Sequence, residues 1–581
     1  MAIADRAQDT PAPFATHSVF NQPPPLEHVD MFSTNVPLVE ATRREGAGWV
    51  LERAAELGRL IGGEPMRWGF EANEHTPVLR THDRYGNRID EVEFHPAWHR
   101  LMRLSVEHEL HALPWRSQEP AAHAARAALY MTAMHAEAGF ACPTTMTFAA
   151  IPTLRMQPEL AAEWEPLLTA TSYDPALVPA REKGSALAGM AMTEKQGGSD
   201  VRANTTVARA AARFGIADEG GPGGEYELTG HKWFCSAPMS DVFLVLAQAD
   251  DGLSCFLLPR VLPDGTRNAF HIQRLKDKLG NRSNASSEIE LHGAWARMVG
   301  EPGRGVPTII EMVAHTRLDC ALGAAAMMRV GVLQATHHTA HRSAFGKLLV
   351  DQPLMRNVLA DLCVESEAAT ALAMRLARAY DEALADSDGT GANPSAAEGD
   401  AELFRRLATA VGKYWVCKRA PNHAFEAMEC FGGNGYVEDS GMPRLYREAP
   451  LMSIWEGTGN VMALDVLRAL ARTPRALEVF LAELDEAAGG DSRLDAYVAK
   501  LREDLASADP NDAATLESRG RSLTERMALS LQASVLVRHA PHAVADAFCA
   551  SRLQREGGLE YGTLPPGCDI DAIIARHRLP A

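Results

Sequence analysis

Between Gly189 and about residue 300 the chain changes texture, and that change restricts the fold more than any other feature of its 581 residues. Runs rich in aromatic and β-branched residues, Tyr226–Ser236, Val242–Gln248, Leu253–Pro259, Phe270–Leu275 and Ser286–Leu291, are separated by Gly, Asp and Pro, as short strands are. Asp218–Glu225 (DEGGPGGE) reads as a hairpin tip before the first of them. On either side the apolar spacing is helical: Ala121–Ala138 repeats at three and four, and the same period runs from Val306 to about Ala471. Only Asp386–Asp400 interrupts it, as a polar, Gly-containing surface loop. Strands and helices are segregated, which argues against a doubly wound sheet and a nicotinamide-type dinucleotide fold. The class is α+β, and no internal repeat is visible.

The flanks complete the plan. Residues before Leu38 are rich in Pro and polar side chains, which suits an extended arm lying on a body. From Thr473-Pro474 to the end the pattern is helical, interrupted by the turn-rich Gly562–Gly567. A net charge of -18 is the opposite of a polyanion binder's footprint, so any nucleic-acid or coenzyme contact needs a local basic patch. The nine cysteines have no C-x-x-C pair and read as reduced thiols of a cytoplasmic protein. The N-terminus lacks the apolar core of a secretory peptide. The most apolar stretch, Cys320–Gln334, is short for a membrane span and carries Arg329, so no membrane is expected.

Five segments carry candidate chemistry. Met192–Asp200 (MTEKQGGSD) suits either a plain turn or a glycine-opened backbone approaching an anionic or carbonyl-rich ligand. Gly230–Ser236 (GHKWFCS) is a strand whose aromatics suit a core or the wall of a planar ring. Arg342–Lys347 (RSAFGK) sets two cations about a Phe-Gly turn, fit for solvent or for a pyrophosphate. Phe431–Tyr436 (FGGNGY) stops a helix, and with no strand before it is not a dinucleotide fingerprint. Ile454–Asn460 (IWEGTGN) holds Glu456 between Trp455 and a glycine turn, as a helix-start carboxylate or as a base raised by apolar walls. His337, His338 and His341 share little more than one turn, but no third ligand type accompanies them, so no metal is expected.

Together and in this order, the segments resemble the acyl-CoA dehydrogenase family of FAD flavoenzymes over residues 38–472. The subgroup most resembled is the AidB type, linked to DNA alkylation damage. Thr16–Gln22 (THSVFNQ), Phe94–Trp98 (FHPAW) and Leu275–Asn284 (LKDKLGNRSN) share in that match. The resemblance implies an arm (1–37), a helical domain (38–188), a β-barrel domain (189–303), a helical bundle (304–472) and an additional C-terminal helical domain (473–581). It also implies a homotetramer.

The same resemblance implies residue roles. Thr193 and Ser199, beside Met192, would hydrogen-bond the flavin, with Phe234 behind its ring and Ser236 near N5. Arg342 and Phe345 would reach the FAD of a neighbouring subunit, with Gly432, Gly433 and Thr458 completing that contact and Asn460 adjoining it. Glu456 would remove the α-proton of a thioester while the β-hydrogen leaves as hydride to flavin N5. Thr316 occupies the alternative base position of some relatives, which leaves Glu456 as the base, and Arg317 would serve the substrate or the charge balance. Trp455 suggests a reshaped, short or branched acyl pocket, with an electron-transfer flavoprotein as acceptor. The alternative implied function is a flavin-containing protein that binds double-stranded DNA and protects it, with Arg468 as a DNA contact. Residues 473–581 carry 12 basic and 17 acidic side chains, a charge that argues against the alternative.

Overall fold

The computed structural model describes residues 16–213, 216–217, 220–386, 399–507 and 512–579. From Thr16, where the described residues begin, the arm lies as a strap against the helix Leu51–Ile61 and the turn after it. His28 N donates to Gly62 O at 2.8 Å and Met31 N to Gly58 O at 3.1 Å, while Met31 and Phe32 are buried. A Cβ on Gly62 would stand 1.9 Å from Val29 O, so glycine is what lets the strap lie so close.

Helices α1 (Val36–Arg44), α2 (Leu51–Ile61) and α3 (Glu64–Glu74) follow. The hairpin β1 (Val78–His82) and β2 (Arg88–Glu93) then interrupts the expected helical run. Its reason is local: Asp83 accepts from the Tyr85 and Asn87 amides and closes the turn at Gly86. The helical region resumes with α4 (Pro96–Glu107), α5 (Leu113–Arg116), α6 (Ala122–Ala133), α7 (Ala141–Leu154) and α8 (Pro158–Leu168).

The strand-rich region contains β3 (Ala188–Ala191), β4 (Val207–Ala210), β5 (Ala212–Arg213), β6 (Ile216–Ala217), β7 (Glu225–Ser236), β8 (Val242–Ala249), β9 (Gly252–Pro259), β10 (Phe270–Leu275) and β11 (Ser286–Val299). The five expected strands are present, the last of them running on from Leu291 to Val299. The very short β3 and β4 left too little alternation to be read. Strands β4 and β7 pair antiparallel, and residues 218 and 219 of the expected tip lie outside the described residues. Because β9 pairs with both β8 and β11, the strands β11, β7, β4, β8 and β9 close into a barrel, with β10 and β3 added at its sides. Strand β8 reads as a continuous apolar run because both of its faces are covered. Phe243, Val245 and Ala247 fill the barrel, while Val242, Leu244 and Leu246 pack on the layer containing Phe148, Leu160 and Met312.

The bundle is formed by α9 (Gly305–His341), α10 (Pro353–Asp386), α11 (Asp400–Glu429), α12 (Met442–Met452) and α13 (Gly459–Arg472), with the small hairpin β12 (Ser343–Ala344) and β13 (Lys347–Leu348) after α9. The expected loop at 386–400 falls almost wholly outside the described residues. Helix α9 is long and apolar enough by composition to cross a membrane, but its apolar stretch is buried in the protein. Arg329, within it, donates to Thr34 O at 2.8 Å and His577 O at 3.3 Å, joining the strap and the chain's end to the core. The last region comprises α14 (Pro474–Asp485), α15 (Ser492–Ala506), α16 (Ala513–His539), α17 (His542–Phe548) and α18 (Ile570–His577), held to the bundle through α10, α11 and α13.

Candidate active site

Glu456 lies in the turn between α12 and α13, where its φ of +56° is followed by +110° at Gly457. A non-glycine residue in that left-handed region needs its surroundings to hold it. Three consecutive carbonyls of the turn are held by cations. Lys413 Nζ, from α11, donates to Trp455 O at 2.8 Å and to Gly457 O, and Arg317 Nε, from α9, donates to Glu456 O at 3.1 Å. Arg317 is balanced by Asp465 of α13 at 2.6 Å. Its guanidinium therefore braces the turn.

The Glu456 carboxylate accepts from Thr316 Oγ1 at 2.8 Å. Burial raises its pKa above the usual 4.5, against the opposing pull of the Thr316 hydroxyl, Lys413 and Arg317. The Glu456 amide N–H has no acceptor among the described residues. Trp455 packs against the apolar layer that contains Met146, Met190, Met192 and Met239, and its indole N–H is buried without a partner. A carboxylate of raised basicity, an unpaired amide and an apolar wall with one polar tip thus converge at one turn. Proton abstraction next to a carbonyl is the chemistry such a set suits.

The 192–200 loop is anchored from below. Glu194 and Lys232 form a fully buried ion pair at 2.9 Å, and Glu194 also accepts from the Thr205 and Thr206 amides. Burial works against the Glu194 charge, but Lys232 and these donors outweigh it and hold the carboxyl well below its usual range. Trp233 N donates to Thr193 O at 2.8 Å, which sets Thr193 beside the strand bearing Phe234 and Ser236. Ser199 is exposed, and Phe234 is half exposed. Ser236 Oγ is 3.2 Å from Ser286 Oγ, which in turn lies 3.1 Å from Lys278 Nζ.

The expected cofactor residues divide into two sets. Phe345, fully exposed at φ +51°, tips the β12–β13 hairpin beyond the end of α9. Its neighbour Arg342 is braced by the strap, donating to Asn21 O at 2.7 Å. His338 stacks on Phe431 at 4.2 Å, so the exposed Gly432–Gly433 turn belongs to this same end. From Thr316 to His341 the axis of α9 runs about 37 Å. Arg342, Phe345, Gly432 and Gly433 are thus remote from Glu456 within one chain. Thr458 and Asn460, grouped with them by the sequence, sit instead at the Glu456 end, at the start of α13.

Arg468 is exposed on α13 and has no ion-pair partner among the described residues. The arginines clustered nearby in the tail are engaged: Arg519 and Arg526 on Asp504, and Arg521 on the Tyr414 hydroxyl. No three His, Cys, Asp or Glu side chains among the described residues are grouped to hold a metal. His337 meets Pro24 O, and His341 meets the carbonyl of His337. Sequence reasoning missed Lys413, Lys278 and Ser286. Lys413 had one signal, a cation inside the apolar helical run Ala410–Tyr414.

The chain matches the adaptive response protein AidB N-terminal domain over residues 21–175. It matches the acyl-CoA dehydrogenase middle domain over 189–294 and C-terminal domain over 303–471. It is 43% identical to AidB of Escherichia coli strain K12 over 94% of this chain and 96% of that one. Acyl-CoA dehydrogenase family member 11 of Caenorhabditis elegans is 31% identical, over 78% and 72%. The crystal structure of the C. elegans protein ACDH-11 in complex with C11-CoA superimposes with a TM-score of 0.82 at 26% identity, covering 95% of each chain.

Proposed function

Because this chain belongs to the acyl-CoA dehydrogenase family, in its AidB branch, we propose that it oxidises an acyl-CoA thioester across its α,β bond with FAD as cofactor and Glu456 as base. The observation that carries this reading is the 455–457 turn. Its carbonyls are tied to Lys413 and Arg317 and one carboxylate oxygen of Glu456 to Thr316, while the other oxygen and the amide N–H are left for a ligand.

The residues suit FAD. Phe234 offers an open ring face, Ser236 a hydroxyl and Trp455 an unpartnered buried N–H. A Cβ at Gly432 or Gly433 would meet nothing within 4 Å, so that turn is open for close approach. When bound, FAD supplies the acceptor for the substrate's β-hydride. Glu456 takes the α-proton, and its amide N–H donates to the thioester carbonyl as charge builds there. The apolar walls from Met192 to Trp455 receive the acyl chain and keep water from the carboxylate. Arg342, Phe345 and the Gly432 turn, about 37 Å from their own chain's base, serve the cofactor of a second copy. That requirement calls for an oligomer, which we propose, from the family resemblance, to be a homotetramer in the cytoplasm with an electron-transfer flavoprotein as its oxidant.

Thioester chemistry is favoured over protection of double-stranded DNA. Arg468 is available, but Asp504 engages Arg519 and Arg526, and the last 109 residues are net acidic. The test is anaerobic titration of the yellow holoenzyme with isovaleryl-CoA and with an eleven-carbon acyl-CoA. The flavin band is expected to bleach with at least one. Bleaching by neither, together with salt-sensitive duplex binding, would overturn the proposal. The bleaching rate should also depend on pH. The base works ionised and its pKa is raised, so the rate falls as pH drops through a midpoint above 4.5.

A further inference from the structure

We infer that Lys413 is the positioning residue of the catalytic turn, its buried ammonium tying the carbonyls on both sides of Glu456 and so holding the base in its left-handed backbone conformation. The inference rests on Glu456 being the base. It starts from an anomaly of charge. The Lys413 side chain is 1% exposed, yet no carboxylate lies within ion-pair distance of it among the described residues. A buried cation without a paired anion is costly, and such groups persist where other contacts require them. The contacts here are the carbonyls of Trp455 and Gly457, which bracket one residue at φ +56°.

The three cationic ties are not equivalent. Arg317, which holds the middle carbonyl, has its charge answered by Asp465. Lys413 has no such partner, and its field reaches Glu456, whose ionisation it favours. The other groups facing the carboxyl are Thr316, Arg317 and the Cys320 thiol of α9, and the Cys142 thiol of α7. Burial pushes the Cys142 thiol up to about 12, so it stays protonated through the working range. Burial likewise holds the Cys320 thiol well above the usual thiol range. Of the cations at the turn, Lys413 is therefore the one whose removal should move the base's titration most.

Geometry and charge are separable by substitution. Lys413→Gln retains a donor for the carbonyls and loses the charge, Lys413→Met loses both, and Lys413→Arg retains the charge. With the FAD-loaded variants, the pH midpoint of anaerobic flavin bleaching should rise by roughly one unit in Lys413→Gln and Lys413→Met, and stay near wild type in Lys413→Arg. The limiting bleaching rate should fall about a hundredfold in Lys413→Met, where the turn is released, and less in Lys413→Gln. Infrared difference spectra, taken against Glu456→Gln in each background, follow the carboxyl directly and should show the same midpoint shift without turnover. If Lys413→Met does not fold, the Gln and Arg variants still decide the matter. Wild-type midpoints in folded Lys413→Gln, by both readouts, would overturn the inference. If Glu456→Gln itself still bleaches at the wild-type rate, the base assignment fails instead, whatever Lys413 does.

Discussion

Replacing Glu456 with glutamine is expected to slow anaerobic flavin bleaching by acyl-CoA about a thousandfold or more, with FAD still bound. Glutamine has the same shape, and its side-chain oxygen can still accept from Thr316 as the carboxylate does at 2.8 Å. The ties from Lys413 and Arg317 go to backbone carbonyls, so the substitution leaves the turn in place. What disappears is the proton acceptor. Thr316, a neutral hydroxyl, cannot replace it, and Asp465 is engaged with Arg317. Stopped-flow absorbance of the loaded variant measures the loss, and its visible spectrum reports the cofactor. A rate within tenfold of wild type would remove Glu456 from the chemistry.

The second large effect is on stability. Arg126 of α6 and Asp319 of α9 form a bidentate pair at 2.6 and 2.7 Å, with side chains only 1% and 2% exposed. Arg126 Nε donates to Leu110 O, its guanidinium lies 3.6 Å from the centre of the Phe148 ring, and Thr145 donates to Asp319 at 2.6 Å. Asp319→Ala strands a guanidinium in the core and should cost about 3–5 kcal/mol. The double replacement Arg126→Met with Asp319→Leu removes both charges and should recover most of that loss. Denaturant midpoints of the wild type and the two variants are the measurement. A single-variant loss under about 1 kcal/mol would mean that water or a rearranged partner already solvates Arg126. Asp319 lies about one turn beyond Thr316, so the pair fixes α9 where that helix meets the Glu456 carboxylate.

Much of the site could be read from the residue string, because its motifs are local. A glycine turn around a carboxylate at 454–460, a strand with adjacent aromatics at 230–236 and a helix stop at 431–436 each show in a window shorter than ten residues. The barrel strands were legible for the same reason, through β-branched and aromatic runs between turn residues. The hairpin at 78–93 was not, since two short alternating segments inside a helical region carry little periodic signal. Strand β8 was readable as apolar but not as two-faced, because the layer covering its outer side comes from helices more than fifty residues away in either direction.

By itself the sequence determined the segregation of helix and strand, the order of the motifs and the setting of the Glu456 carboxylate between Trp455 and a glycine turn, all of which depend on neighbours within a few residues. Only the tertiary structure decided that Lys413 and Arg317 hold the carbonyls about Glu456 from 43 and 139 residues away. It alone set Thr458 apart from Gly432 and Phe345, at opposite ends of the bundle. The reason is physical. Periods of 2.0 and 3.6 residues are imposed by the backbone and survive in any stretch of chain, whereas the partner of a buried ammonium is chosen by how whole helices pack. Along α9 the chain rises 1.5 Å per residue, so sites that look adjacent in a list of motifs come to lie tens of ångströms apart.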